Sequence, residues 1–290
     1  MDVLRPQLPE GRTIDLPGRG TTFIRESGEA TAGSPTLLLL HGWTANADLN
    51  WGWCYEPLAA RHHVVAPDHR GHSRGIRDDR PFALEDVADD AAALVETLGL
   101  DRVIAVGYSM GGPVAQLLWR RHPHLVDGIV LCATSRTFND TPRERALFAL
   151  LAGVGATAGR LPADRRARLA MRIMARRRDP SRWEWATEDL TAHDWLRIVE
   201  AGRCIGRFDS RPWASSIDVP AAAVVTLHDH VVPVARQLEL AAAIPGCTVH
   251  PAAGDHAVCL AQPEELLPAL LSAVDSVTSR LRRPTFPVAA

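Results

Sequence analysis

Six consecutive residues, Gly107-Tyr108-Ser109-Met110-Gly111-Gly112, carry the sharpest chemical signal in the chain. They follow an apolar run and precede a helical pattern (Val114, Leu117, Leu118), so Ser109 falls on a tight strand-to-helix turn. Small residues two before and two after the serine let crowded backbones approach each other. The turn lifts the hydroxyl clear of the sheet and sets the Met110 N–H beside it. A serine hydroxyl is a weak nucleophile until a base takes its proton, and that base needs an orienting acid. Both residue types occur downstream. Asp229 follows the apolar run Ala221 to Leu227, within His228-Asp229-His230-Val231-Val232-Pro233. His256 follows Thr248 to Pro251, within Gly254-Asp255-His256. Acyl transfer through a serine is the chemistry this set supports. Asp140 and Asp255 are alternative acids. Asp229 is preferred because a strand directly before it fixes its position. Asp140 lies beyond a longer loop, and Asp255 is tethered too close to the ring it would have to face.

The elements that must position these residues are short continuous apolar runs, the pattern of strands covered on both faces. They span Thr36 to Leu40, His63 to Pro67, Arg102 to Tyr108, Gly128 to Ala133 and Ala221 to Leu227. A polar, alternating stretch from Arg12 to Glu26, broken at Pro17-Gly18-Arg19-Gly20, reads as an antiparallel pair ahead of them. Helical patterns lie between, as at Leu84 to Leu98, where Leu84, Val87, Ala91, Leu94 and Val95 share one face. Further helices are expected near Val232 to Ala243 and Pro263 to Val277. This alternation predicts an α/β fold, with a mostly parallel central sheet and helices on both faces. It breaks once. From Arg136 to Pro212 there is no convincing strand, only helical patterns interrupted by Gly155, Gly159, Pro162 and Pro180. The expected organisation is therefore a core of residues 1–135 and 213–290 with a helical cap, 136–212, inserted in it. The strand ends would gather Ser109, Asp229 and His256 in the crevice where such sheets bind ligands.

Composition narrows the function classes. The 290 residues are 46% hydrophobic and 23% charged, enough for a well-buried core and incompatible with a disordered chain. All 32 basic residues are Arg, which excludes a Lys Schiff base or a Ser–Lys dyad, and a net charge of −2 gives no pull towards nucleic acid. The five cysteines have no CxxC pair, and the twelve histidines include no H-E-x-x-H, so no metal is expected. Nor is a cofactor: Gly107 to Gly112 lacks the endings of nucleotide-binding loops. No apolar run reaches the roughly 18 residues of a membrane span, and Met1 to Arg12 has no apolar core, so a cytoplasmic protein without a signal peptide is expected.

The chain resembles the α/β-hydrolase superfamily over roughly Thr36 to Val277, with a variable middle. The motifs are Leu40-His41-Gly42-Trp43, Pro67-Asp68-His69-Arg70-Gly71-His72-Ser73, the turn at Ser109, Asp229 four residues before Pro233, and the late Gly254-Asp255-His256, all in family order. The resemblance implies Ser109 as nucleophile, His256 as general base and then acid, and Asp229 as the orienting carboxylate. It implies an oxyanion hole from the backbone N–H groups of Met110 and Trp43. His41, Trp43, Trp183 and Trp185 are expected substrate contacts, with a loop anchor as the alternative role for Trp43. The implied reaction is hydrolysis of a small-molecule carboxylic ester, acyl or aromatic, through an acyl-enzyme. Perhydrolase, thioesterase, lactonase and carbon–carbon hydrolase chemistry use the same residues, and a binding module with little turnover is the alternative from another class. Between Thr141 and Pro212 fifteen Arg face nine acidic residues, and four of the eight Trp (Trp183, Trp185, Trp195, Trp213) lie there or next to it. That composition reads as a solvated cap with an apolar underside, or as a basic lid able to touch anionic substrates or lipid surfaces. The sequence fixes no oligomeric state.

Overall fold

Four strands are buried along their whole length, which is why they read as unbroken apolar runs: β3 (Thr36–Leu40), β4 (Val64–Pro67), β5 (Val103–Tyr108) and β7 (Ala221–Thr226). The computed structural model describes residues 5–29, 34–139 and 192–281, with the single residues 142 and 146. β1 (Gly11–Leu16), β2 (Gly20–Ser27), β6 (Val126–Cys132) and β8 (Thr248–Ala252) complete one eight-stranded sheet. Its order is β1-β2-β4-β3-β5-β6-β7-β8. β1 pairs antiparallel with β2, and β2 with β4; the remaining pairs are parallel. The expected antiparallel pair and mostly parallel sheet are both present.

Side chains alternate across the sheet, so each apolar run feeds two cores. Leu38, Leu40, Val103, Ala105 and Leu131 face α3 (Leu84–Thr97) and α4 (Gly111–Arg121). Leu37, Leu39, Ile104, Val106, Val130 and Val224 face the other layer, which holds α1 (Ala47–Trp51), α2 (Tyr55–Ala59) and the C-terminal helix Pro263–Ser279. Burying each such Leu, Ile or Val contributes about 1.5–3 kcal/mol. The two short helices α1 and α2 carry too few residues to show a helical period in the sequence.

The parallel register brings the strand ends level. Tyr108 pairs with Cys132, Cys132 with Val224, and Thr226 with Ala252. The loops after β5, β7 and β8 therefore leave the sheet along one edge. α5 (Trp195–Ile205), capped by the Asp194 side chain, packs beside that edge. The stretch read as a cap lies mostly outside the described residues. Its two described ends meet: Thr137 bridges Asp209, and the Ser210 N–H donates to Arg136 O at 2.8 Å. The chain thus departs and returns at one place. Among the described residues no helix is long and apolar enough to cross a membrane.

Candidate active site

Ser109 sits between β5 and α4 with φ +52°, a left-handed conformation that costs a non-glycine residue about 1–3 kcal/mol. Hydrogen bonds hold it there. Its N–H donates to Cys132 O at 2.9 Å, and its carbonyl accepts from Gly112 N at 2.9 Å and from the Thr134 hydroxyl at 2.7 Å. The turn is too tight for a side chain two residues before the serine: a Cβ on Gly107 would lie 2.2 Å from Gly111 O.

From Ser109 Oγ a continuous path of hydrogen bonds runs to a buried carboxylate. His256 Nε2 is 2.9 Å from Ser109 Oγ, and His256 Nδ1 is 2.8 Å from Asp229 Oδ2. Asp229 is 5% exposed. Its Oδ1 accepts the N–H groups of Val231 and Val232, both at 2.8 Å, and its Oδ2 also accepts the Thr226 hydroxyl at 2.8 Å. Burial pushes its pKa up, but the hydrogen bond and charge of His256, with the Val232 N–H and the Thr226 hydroxyl, hold the carboxyl below its usual range. An ionised Asp229 only accepts, so His256 Nδ1 carries the proton. Nε2 then presents a lone pair to the Ser109 hydroxyl. Asp255 takes no part: its Oδ1 accepts from Ala257 N at 2.8 Å and shapes the turn after it. Asp140, Trp183 and Trp185 lie outside the described residues.

One expected contact, His41, is placed differently from the sequence reading, and another, Trp43, has the geometry of its alternative role. His41 is 0% exposed and both ring nitrogens are engaged: Nε2 accepts from His69 N at 2.8 Å, and Nδ1–H donates to Gly42 O at 2.8 Å. The expectation that His41 touches substrate is therefore corrected; it braces the loop beside Ser109. Trp43 is half-buried, and its indole N–H donates to Ile198 O at 2.7 Å on α5. The ring lies against Gly202, where a Cβ would come within 2.6 Å of it. This is the loop-anchor geometry. The preceding residue, Gly42, lies close to the nucleophile, its missing Cβ 3.2 Å from Ser109 Cβ. The Gly42–Trp43 peptide thereby lies near Ser109, and Met110, the next residue after the serine, is the N-cap of α4. Trp213 is accounted for by packing, stacked on Trp119 with ring centres 6.4 Å apart.

Several supports were not singled out in the sequence. Gln237, 2% exposed, donates to Thr226 Oγ1 at 2.9 Å and Val232 O at 2.8 Å, and its Oε1 accepts from Thr226 N at 3.0 Å. A signal for it exists: a glutamine stands on the apolar face of α6 (Val234–Ala243), one turn before Leu240 and Ala241. Asn50 Oδ1 takes the Gly42 N–H at 2.6 Å, and the Tyr108 hydroxyl donates to His256 O at 2.9 Å. At the opposite edge of the sheet a cleft of about 680 Å³ opens between Arg102, Asp127, Pro220 and Arg280.

Behind the His41 loop four histidines pack together: His41, His69, His72 and His193, with 4.0 Å between the ring centres of His41 and His69 and 5.6 Å between those of His72 and His193. Burial first, then neighbouring rings, pushes His69 down to about 3; burial, with Arg77 adding to it, pushes His193 to about 4; His41 and His72 are also well below 6.5. The folded protein keeps these rings neutral, whereas the unfolded chain takes up protons near 6.5. Stability is thus fully present above that pH and drains as the pH falls towards the folded values, by up to ~1.4 kcal/mol per pH unit for each ring. Urea unfolding should show a lower midpoint at pH 5 than at pH 7, and equal midpoints would contradict neutral burial.

Comparison with known proteins gives a consistent picture. Residues 35–263 match the family model described as alpha/beta hydrolase fold. A protein of Mycobacterium tuberculosis is 34% identical over 110 residues, 38% of this chain and 32% of that protein. The 2-(acetamidomethylene)succinate hydrolase of Mesorhizobium japonicum is 32% identical over 123 residues, covering 41% of each. The chain thus spans a third to two-fifths of the length of these relatives. Among solved structures, the enol-lactonase of Burkholderia xenovorans superposes with a TM-score of 0.78 at 21% identity, over 91% of this chain and all of that one. At that identity the likeness is one of fold.

Proposed function

The chain belongs to the alpha/beta hydrolase family, whose model covers residues 35–263, and from that premise we propose that it is a serine hydrolase cleaving a carboxylic ester through an acyl-enzyme on Ser109. The observation that carries this reading is the unbroken path Ser109 Oγ, His256, Asp229, with 2.9 and 2.8 Å between its polar atoms. His256 Nε2 takes the hydroxyl proton as Oγ attacks the ester carbonyl. Asp229 supports the imidazolium that forms and fixes its tautomer. The backbone N–H groups of Met110 and Trp43 receive the developing oxyanion, each donor contributing about 3–4 kcal/mol in sites of this kind. His256 then returns the proton to the leaving alkoxide, and the same steps with water release the acid. Two similar proteins, a 2-(acetamidomethylene)succinate hydrolase and an enol-lactonase, bear names in keeping with hydrolytic chemistry at such a centre.

The test is a series of p-nitrophenyl esters from acetate to long-chain acyl groups, run beside a thioester and a lactone. Turnover of at least one ester is expected, undiminished by EDTA because Ser109 and His256 supply nucleophile and base. No ester turnover, or activity lost on chelation and restored by zinc, would contradict the proposal.

A further inference from the structure

We propose that Thr134 is a positioning residue for this reaction: its hydroxyl clamps the carbonyl of the Ser109–Met110 peptide and so aims the Met110 N–H at the developing oxyanion. The inference rests on the reading of Ser109 as the nucleophile. A peptide unit is rigid and planar, with its C=O and N–H pointing in opposite directions. Whatever fixes the Ser109 carbonyl therefore fixes the Met110 N–H. With Ser109 at φ +52°, this peptide is turned away from the path of both the strand and the helix, and the fold must hold it.

Two groups do so. Gly112 N donates to Ser109 O at 2.9 Å, a local bond across the turn itself. The second bond, from Thr134 Oγ1 at 2.7 Å, comes from a residue 25 positions away, just beyond the end of β6. It ties the peptide to the sheet and not only to its own turn. Thr134 reaches across because the chain reverses just before it: Ala133 has φ +48° and is held to β7 by its N–H on Val224 O at 3.1 Å. The space for the threonine is made on α4. A Cβ on Gly112 would lie 2.2 Å from Thr134 Oγ1, so the second glycine after Met110 makes room for the clamp and not for the nucleophile.

Thr134 is 2% exposed, so water does not compete for its hydroxyl. Its branched Cβ restricts the rotamer that aims Oγ1. A hydrogen bond accepted by a carbonyl also polarises its peptide and strengthens the N–H on the other side as a donor. The Gly42–Trp43 peptide is gripped in the same sense, by His41 Nδ1–H on Gly42 O at 2.8 Å. Both N–H groups assigned to the oxyanion are thus backed by a buried side chain on the carbonyl of their own peptide.

Thr134→Val keeps the shape and removes the hydroxyl; Thr134→Ser keeps the hydroxyl. For a p-nitrophenyl ester, the valine variant should lower kcat about tenfold with KM within about twofold, as for an interaction made in the transition state. Affinity for an alkyl boronic acid, which forms a tetrahedral adduct with the serine, should weaken in parallel, and the serine variant should recover most of both. Should the valine variant not fold, Thr134→Ala should give the same pattern. A kcat within twofold of wild type in the hydroxyl-free variants, boronate affinity unchanged while kcat falls, or a serine variant as impaired as the valine one would each overturn the proposal. Ser109→Ala separates the two levels of the argument. If it abolishes hydrolysis while Thr134→Val is normal, only the clamp is wrong; if it remains active, the reading of the whole centre fails.

Discussion

Ser109→Ala is expected to leave a folded protein with essentially no ester hydrolysis, kcat falling by on the order of 10⁶ if this centre behaves as comparable triads do. The side chain makes one hydrogen bond, to His256 Nε2, and the strained backbone is held by main-chain groups and Thr134, which the substitution leaves alone. Stability should therefore change by no more than about 1 kcal/mol. Any residual rate should come from binding and the two backbone donors, which alone give roughly 10³–10⁴ over water. Circular dichroism and thermal unfolding check the fold, and stopped assays at high enzyme concentration check the residual rate. Retention of more than about a tenth of wild-type kcat would remove Ser109 from its role.

The second large effect concerns a proton rather than a nucleophile. In Asp229→Asn the amide oxygen can keep the two backbone donors, Val231 N and Val232 N, so the loop should survive. The new NH₂ then faces His256 Nδ1, where the carboxylate stood at 2.8 Å. A donor at that point forces Nδ1 to accept and moves the ring proton to Nε2. Ser109 then meets an N–H in place of a lone pair, and the base is lost without any movement of atoms. A fall in kcat of about 10⁴ is expected, with KM little changed. Asp255→Asn is the matched control. Its side chain only caps Ala257 N, which an asparagine oxygen also does, so kcat should change less than about tenfold. Equal, mild effects of both substitutions would show that Asp229 does not orient His256.

The residues legible in the sequence were those whose role is announced by their immediate neighbours. Ser109 lies between glycines at a strand end, Asp229 closes an apolar run, and His256 follows a short strand within Gly254-Asp255-His256, so a local pattern sufficed. The unbroken runs at Thr36–Leu40 and Val103–Tyr108 gave the sheet for the same reason, since burial on both faces leaves nothing to alternate. The supporting residues could not be read this way, because their function lies in a partner that only the fold supplies. Thr134 acts on a carbonyl 25 residues away, and Asn50 reaches both Gly42 and Cys259, the latter 209 residues distant. His41 shows the limit from the other side. A histidine before a glycine beside the nucleophile reads as a substrate contact, whereas the His69 N–H on its Nε2 makes it a brace. One helix start differs for a local reason. The helix expected from Val232 begins at Val234, because Val232 precedes a proline and Pro233 is itself extended, with ψ 141°.

Ser109 Oγ is the atom that becomes acylated in this mechanism, and mass spectrometry of the protein after brief exposure to a fluorophosphonate reads that out. Rapid, stoichiometric labelling of one site is expected, mapped by proteolysis to the peptide carrying Tyr108-Ser109-Met110. Labelling should be absent in Ser109→Ala and strongly slowed in Asp229→Asn. Labelling on another residue, or none in a folded protein that still turns over an ester, would contradict it.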